Sequence, residues 1–172
     1  ERARRTLSDA LYRLRAAADD GAPWLASDPD AVWLGDVDVD LWEFRARASE
    51  TGTAAVDALA LHRGPLADGL DDEWLDLSRL AHHEAMIGLA ERAAESLAPS
   101  ARRPVAERWV EIDPLSAAAH RCLVETLLVL DRTDAARRAI GRYEHVMLDL
   151  GIDVEAEVAQ WHAVVRAAEQ PD

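Results

Sequence analysis

The residues best suited to chemistry come first in the chain. Arg2, Arg5, Ser8, Asp9, Tyr12 and Arg13 recur at helical spacing over a helix predicted for residues 3–18. Leu7, Leu11 and Leu14 fall on the opposite face. A helix fits the major groove of a nucleic-acid duplex, and arginines reach guanine edges or phosphates from it. Asp9 opposes phosphate; it can pair with Arg5 or Arg13, or accept a hydrogen bond from cytosine. The plainer alternative is the solvated polar face of an ordinary helix.

Other constellations carry less. His82-His83-Glu84 suggests metal chemistry, but a zincin needs its second histidine four residues after the first, and Ile87 stands near that place. Adjacent histidines also diverge by about 100° on a helix, so His82 and His83 are expected on a solvated face. There is no Gly-rich phosphate loop and no Gly-x-Ser-x-Gly. The carboxylates are spread along helical stretches. No catalytic constellation emerges, so an enzyme is not expected, nor is a cofactor. The single cysteine, Cys122, excludes an internal disulfide and is expected as a small buried hydrophobe.

Composition sets the remaining bounds. The net charge is −14, and all 19 basic residues are arginine. A chain this acidic repels nucleic acid on average, so contact with DNA needs a local basic patch. No apolar run is as long as a membrane span and no signal peptide is seen, so a cytoplasmic protein without membrane partners is expected. The opening Glu1-Arg2-Ala3-Arg4-Arg5 has no methionine and reads as the middle of a longer protein.

The elements that would position these residues are mostly helices. Asp19-Asp20-Gly21 stops the first. Two short apolar runs around Ser27-Asp28-Pro29-Asp30 predict a β-hairpin, and Val37-Asp38-Val39 a brief extended piece. Asp40 can cap a helix over 41–49. Further helices are predicted over 53–62, 72–97, 100–112 (interrupted early by Pro104), 116–130, 134–150 and 154–169. Gly151 serves as a C-cap. In the long helix Trp74, Leu77, Leu80 and Ile87 form the expected apolar stripe. Trp42, Trp74 and Trp109 are expected in the core; for Trp161 core and surface both stay open. Short turns between these helices imply antiparallel pairs. The stretch ending Trp109-Val110-Glu111-Ile112-Asp113-Pro114 fits the close of a tetratricopeptide unit of about 34 residues, and 115–150 is a looser second copy.

Three features in order resemble the bacterial transcriptional activator domain and the winged helix that precedes it. Thr6-Leu7-Ser8-Asp9-Ala10-Leu11-Tyr12-Arg13-Leu14-Arg15 with the hairpin 24–34 is similar to a recognition helix and wing. Val37-Asp38-Val39-Asp40-Leu41-Trp42-Glu43-Phe44 resembles the approach to the family's helical domain. His62-Arg63-Gly64-Pro65-Leu66, before Asp71-Asp72-Glu73-Trp74-Leu75, resembles a Tyr-Arg-Gly-Pro/Asp-Leu segment and an aromatic helix start. Ile112-Asp113-Pro114-Leu115, Ala119-His120-Arg121 and Asp149-Leu150-Gly151-Ile152-Asp153 look like its repeat junction and closing turn. Two departures stand out. The first part of the winged helix is missing, and the wing carries Asp28 and Asp30 in place of arginines.

The resemblance implies a mainly α protein. Residues 1–38 would be the recognition helix and wing, and 39–172 a tetratricopeptide-like activator domain. It implies a transcription regulator whose Arg2, Arg5, Ser8, Asp9, Tyr12 and Arg13 face promoter DNA. The helical domain would serve self-association as a homodimer, signal response, or contact with RNA polymerase or other regulator domains. A tetratricopeptide-like interaction scaffold that never touches DNA is the alternative.

Overall fold

Alternating helix-forming and helix-stopping residues divide the chain into eight α-helices and one hairpin in the computed structural model, which describes residues 2–18, 23–35 and 37–169. The chain separates into two compact units, Glu1–Val39 and Asp40–Asp172. The predicted stop at Asp19-Asp20-Gly21 lies outside the described residues.

The first unit holds α1 (Arg2–Ala17) and the antiparallel strands β1 (Leu25–Ser27) and β2 (Val32–Leu34). Leu25 pairs with Leu34, Ala26 with Trp33 and Ser27 with Val32. The turn closes through Asp28, whose carboxylate accepts the amides of Asp30 (2.8 Å) and Ala31 (2.7 Å). This is the local bonding that favours aspartate in turns. Residues 37–39 add no strand.

The second unit has helices and no strand among its described residues: α2 (Asp40–Arg47), α3 (Gly52–Ala60), a single 3₁₀ turn (Glu73–Leu75), α4 (Asp76–Ser96), α5 (Pro99–Ile112), α6 (Ala117–Val129), α7 (Thr133–Asp149) and α8 (Glu155–Ala168). Each helix from α3 onward packs on the next, and α8 also reaches α6. The caps explain several boundaries. Asp40 is itself the first residue of α2, its carboxylate accepting the adjacent Leu41 amide; Ser116 Oγ, in the N-cap position, accepts the Ala119 amide at 3.2 Å, satisfying an orphan donor of α6. Gly151, at φ 71°, ends α7 in a Schellman turn: Ile152 N–H reaches Met147 O and Gly151 N–H reaches Leu148 O. Pro104 does not interrupt α5. The proline is exposed and only one turn into the helix, so the Ser100 carbonyl that loses its partner faces water.

Two hydrophobic clusters share α5. The first gathers Phe44, Leu59, Met86, Leu89, Ala93 and Trp109; the second gathers Leu123, Ile140, Tyr143, Met147, Val158 and Trp161. Buried alanines at 55, 58, 90, 93, 106, 119, 136 and 139 let the helices approach closely.

The core differs from the sequence expectation at several positions. Trp109 is buried as expected, and Trp161 joins it. Trp42 and Trp74 are exposed, as are Leu77 and Leu80. The core face of α4 is instead Met86, Leu89, Ala90 and Ala93. Helical spacing from Leu89 back to Leu77 and Leu80 leads to the other side of the helix. Cys122 is half-buried against both clusters, and burial pushes its thiol pKa up. That is the behaviour of a packing residue and not of a reactive thiolate.

Candidate functional site

The first unit assembles its polar helix face around one anchoring arginine. Arg15 donates to the Leu25 carbonyl (3.0 Å) and to Ser27 Oγ (2.9 Å), fastening α1 to β1. Arg4 lies 3.6 Å from Asp30 in the turn, an exposed ion pair that contributes little to stability. With Arg15 directed to the hairpin, the face holding Arg5, Ser8, Asp9, Tyr12 and Arg13 is left to solvent. Arg5 and Arg13 form no hydrogen bond or ion pair with any described residue, and Asp9 pairs with neither of them. The Arg2 side chain lies outside what is described.

The opposite face does not form a closed core. Leu7 is 51% and Leu14 45% exposed, and Leu11 is half-buried. Two of the three expected anchor leucines are therefore at the surface within this unit. The partly covered residues Leu11, Arg15 and Ala18 follow one another at i, i+4 and i+7, so cover reaches only one strip of the leucine side and Leu7 and Leu14 lie beyond it.

The second unit contains a site that the sequence reading missed. His82 is half-buried, not solvated: its ring meets Phe44 edge-on at 4.8 Å and lies 5.6 Å from His62. His83 is exposed, as expected. Around the pair lies a cavity of about 380 Å³ bounded by His62, Leu66, Arg79, His82, Met86 and Ile112. Its wall, the loop after α3, is held by side chains from α4 and α5. Arg79 donates to the carbonyls of Leu66 and Ala67 (both 3.1 Å), and Arg108 to that of His62 (2.7 Å). Burial is the main force lowering the pKa of both histidines; Arg108 adds to it at His62, and His62 at His82. Two half-buried imidazoles, their pKa values lowered, beside arginines bonded to backbone carbonyls form a packed joint. The signal in the sequence was Phe44 on the neighbouring helix, which periodicity cannot assign to His82. Among the described residues no group of three or more His, Cys, Asp or Glu is placed to hold a metal ion. No described helix is long and apolar enough to cross a membrane.

Comparison with known proteins gives no matching family model, and neither the curated proteins nor the solved structures give a significant match.

Proposed function

We propose that the chain is part of a transcription regulator. Residues 2–35 would supply the recognition helix and wing of a DNA-binding winged helix, and the helices from Asp40 onward a tetratricopeptide-like activator domain that contacts other proteins. The observation that carries this reading is the α1 surface: Arg5 and Arg13 stand exposed, with no ion pair among the described residues, on a helix that Arg15 ties to a two-stranded hairpin. Exposed guanidinium groups on a helix suit bidentate contact with guanine or phosphate. The exposed Leu7 and Leu14 suit a helix whose inner face packs on further residues of a winged helix. In the helical unit, serial helix packing and buried alanines suit stacked helix pairs.

The scaffold reading is favoured by the acidic turn, where Asp28 and Asp30 replace the cations a wing would bring to the minor groove. A titration of the full-length protein with promoter fragments separates the two. Binding whose affinity falls steeply with salt supports the regulator; no complex with the upstream DNA of its own operon supports the scaffold.

A further inference from the structure

The solvent face of α4 is the least ordinary surface of the helical unit. Trp74, in the 3₁₀ turn that leads into the helix, is 70% exposed, Leu77 79% and Leu80 55%. Scattered exposed leucines need no explanation; large apolar residues on one face of a helix start mark interaction sites. The surroundings are acidic. Asp71, Asp72, Glu73 and Asp76 crowd the approach to the helix, and Glu84 follows Leu77 and Leu80 on the same side; all five are exposed. Farther along, Glu91 recurs at helical spacing from Glu84, also exposed.

The arginines of α4 neutralise little of this face. Arg79 donates to the carbonyls of Leu66 and Ala67 and also lies 3.6 Å from Asp76, while Arg92 donates to Ala48; neither arginine forms an ion pair with Asp71, Asp72, Glu73 or Glu84 among the described residues. The face therefore presents large apolar anchors inside a field of carboxylates. Nucleic acid and anionic lipid are repelled by that field. A protein segment bearing arginine or lysine around its own apolar residues is complementary to it both in charge and in the burial it offers.

We infer that the outward face of α4, centred on Trp74, Leu77 and Leu80, is a docking surface for a basic amphipathic helix of another protein. The inference rests on the reading of the helical unit as a protein-contact domain and names the chemistry of its partner. The occupant would seat apolar side chains over Trp74 and Leu77, as in helix-in-groove recognition. Its cations would face Asp71, Asp72, Glu73 and Glu84.

The test uses the full chain and a fluorescein-labelled helical peptide of leucine and arginine, with a leucine and glutamate peptide of the same pattern as control. Anisotropy is followed at two salt concentrations. The arginine peptide is expected to bind and the glutamate peptide not. The double variant Leu77→Gln/Leu80→Gln should weaken binding at least tenfold with an unchanged Tm, because neither side chain is in the core. Glu84→Gln/Glu91→Gln should weaken it several-fold and flatten the salt dependence. Equal binding by the leucine variant and the unaltered chain would overturn the inference, since attraction to a −14 chain would then be unspecific. Sedimentation as a dimer that Leu77→Gln/Leu80→Gln dissolves would also overturn it, by giving the face to a second copy. Promoter binding by the full-length protein carrying the same variants reads the regulator proposal separately: its retention leaves that proposal standing whatever the peptide does.

Discussion

The His120 ring lies 4.6 Å from the Tyr143 ring, and Tyr143 in turn lies 5.0 Å from Trp161, so one row of rings joins α6, α7 and α8. His120 Nε2 sits 3.0 Å from the Pro114 carbonyl and donates to it, while its buried Nδ1 has no hydrogen-bond partner. Burial lowers its pKa below the ordinary 6.5, outweighing the carbonyl contact that would raise it. His62 and His82 are lowered as well, also chiefly by burial.

The sign of the pH effect follows. With folded pKa values below the unfolded ones, the unfolded chain binds more protons as pH falls through about 6.5. Folding stability should be constant above pH 7 with respect to these groups and decline from about pH 6.5 downward. Urea midpoints at pH 7.5, 6.5 and 5.5 measure this. His120→Gln should reduce the acid-side decline, although it also perturbs the ring row at every pH. Identical midpoints at pH 7.5 and 5.5 would refute the assignment.

The same row makes a second prediction. The Tyr143 hydroxyl donates to Glu157 Oε2 at 3.0 Å, and burial, with Glu157 beside it, pushes the Tyr143 pKa up to about 12. Tyr143→Phe removes that bond but keeps the ring, so it should cost about 1 kcal/mol. Trp161→Ala leaves a cavity at the end of the row and should cost about 3–5 kcal/mol. Chemical denaturation of both variants would show a large gap between them; equal losses would mean that the row is not a packing unit.

Two C-caps of the same geometry carry different residues. After α6, Asp131 occupies the left-handed position at φ 59°, with Arg132 N–H bonded to Leu127 O; after α7, Gly151 occupies it at φ 71°. A Cβ at Gly151 would meet nothing within 4 Å, so its penalty is purely conformational. Gly151→Ala should cost about 1 kcal/mol and Asp131→Gly should gain somewhat less than that, aspartate being among the better tolerated residues there. Thermal melts that move in the same direction for both variants would contradict this account.

Punctuation was the legible part of this fold. Ser116, Gly151, Asp28 and the prolines at 99 and 114 act within a few residues of themselves, so a linear sequence exposes them. The buried face of α4 was not legible, because apolar residues lie on both sides of that helix. Trp74, Leu77 and Leu80 outweigh Ala90 and Ala93 in hydrophobicity, yet the alanines are in the core, where neighbouring helices come close. His82 was missed for a related reason: its contacts with Phe44 and His62 come from two other segments. On α1 the arginine face was legible from spacing alone, while the partial exposure of its leucines depends on how little of the helix the hairpin covers.

The last prediction concerns that arginine face. Arg5 and Arg13 are exposed and make no ion pair among the described residues, so truncating them removes no described contact. In the full-length protein, Arg5→Ala and Arg13→Ala should each leave the Tm unchanged and weaken promoter binding. A lost base contact costs about 1–3 kcal/mol and relaxes sequence preference at one position; a lost phosphate contact lowers the salt slope by about one. Arg15→Ala should behave differently. It releases the Leu25 carbonyl and Ser27 Oγ together, loosening the hairpin from the helix, so stability and binding should fall together. The chain of 172 residues by itself should bind DNA weakly, because its net charge is −14 and only α1 and the hairpin would be offered to the duplex. Anisotropy titrations at two salt concentrations, beside thermal melts of the same preparations, read all of these outcomes. Unchanged affinity and salt slope in both Arg5→Ala and Arg13→Ala would remove α1 as a recognition helix and leave the scaffold reading in its place.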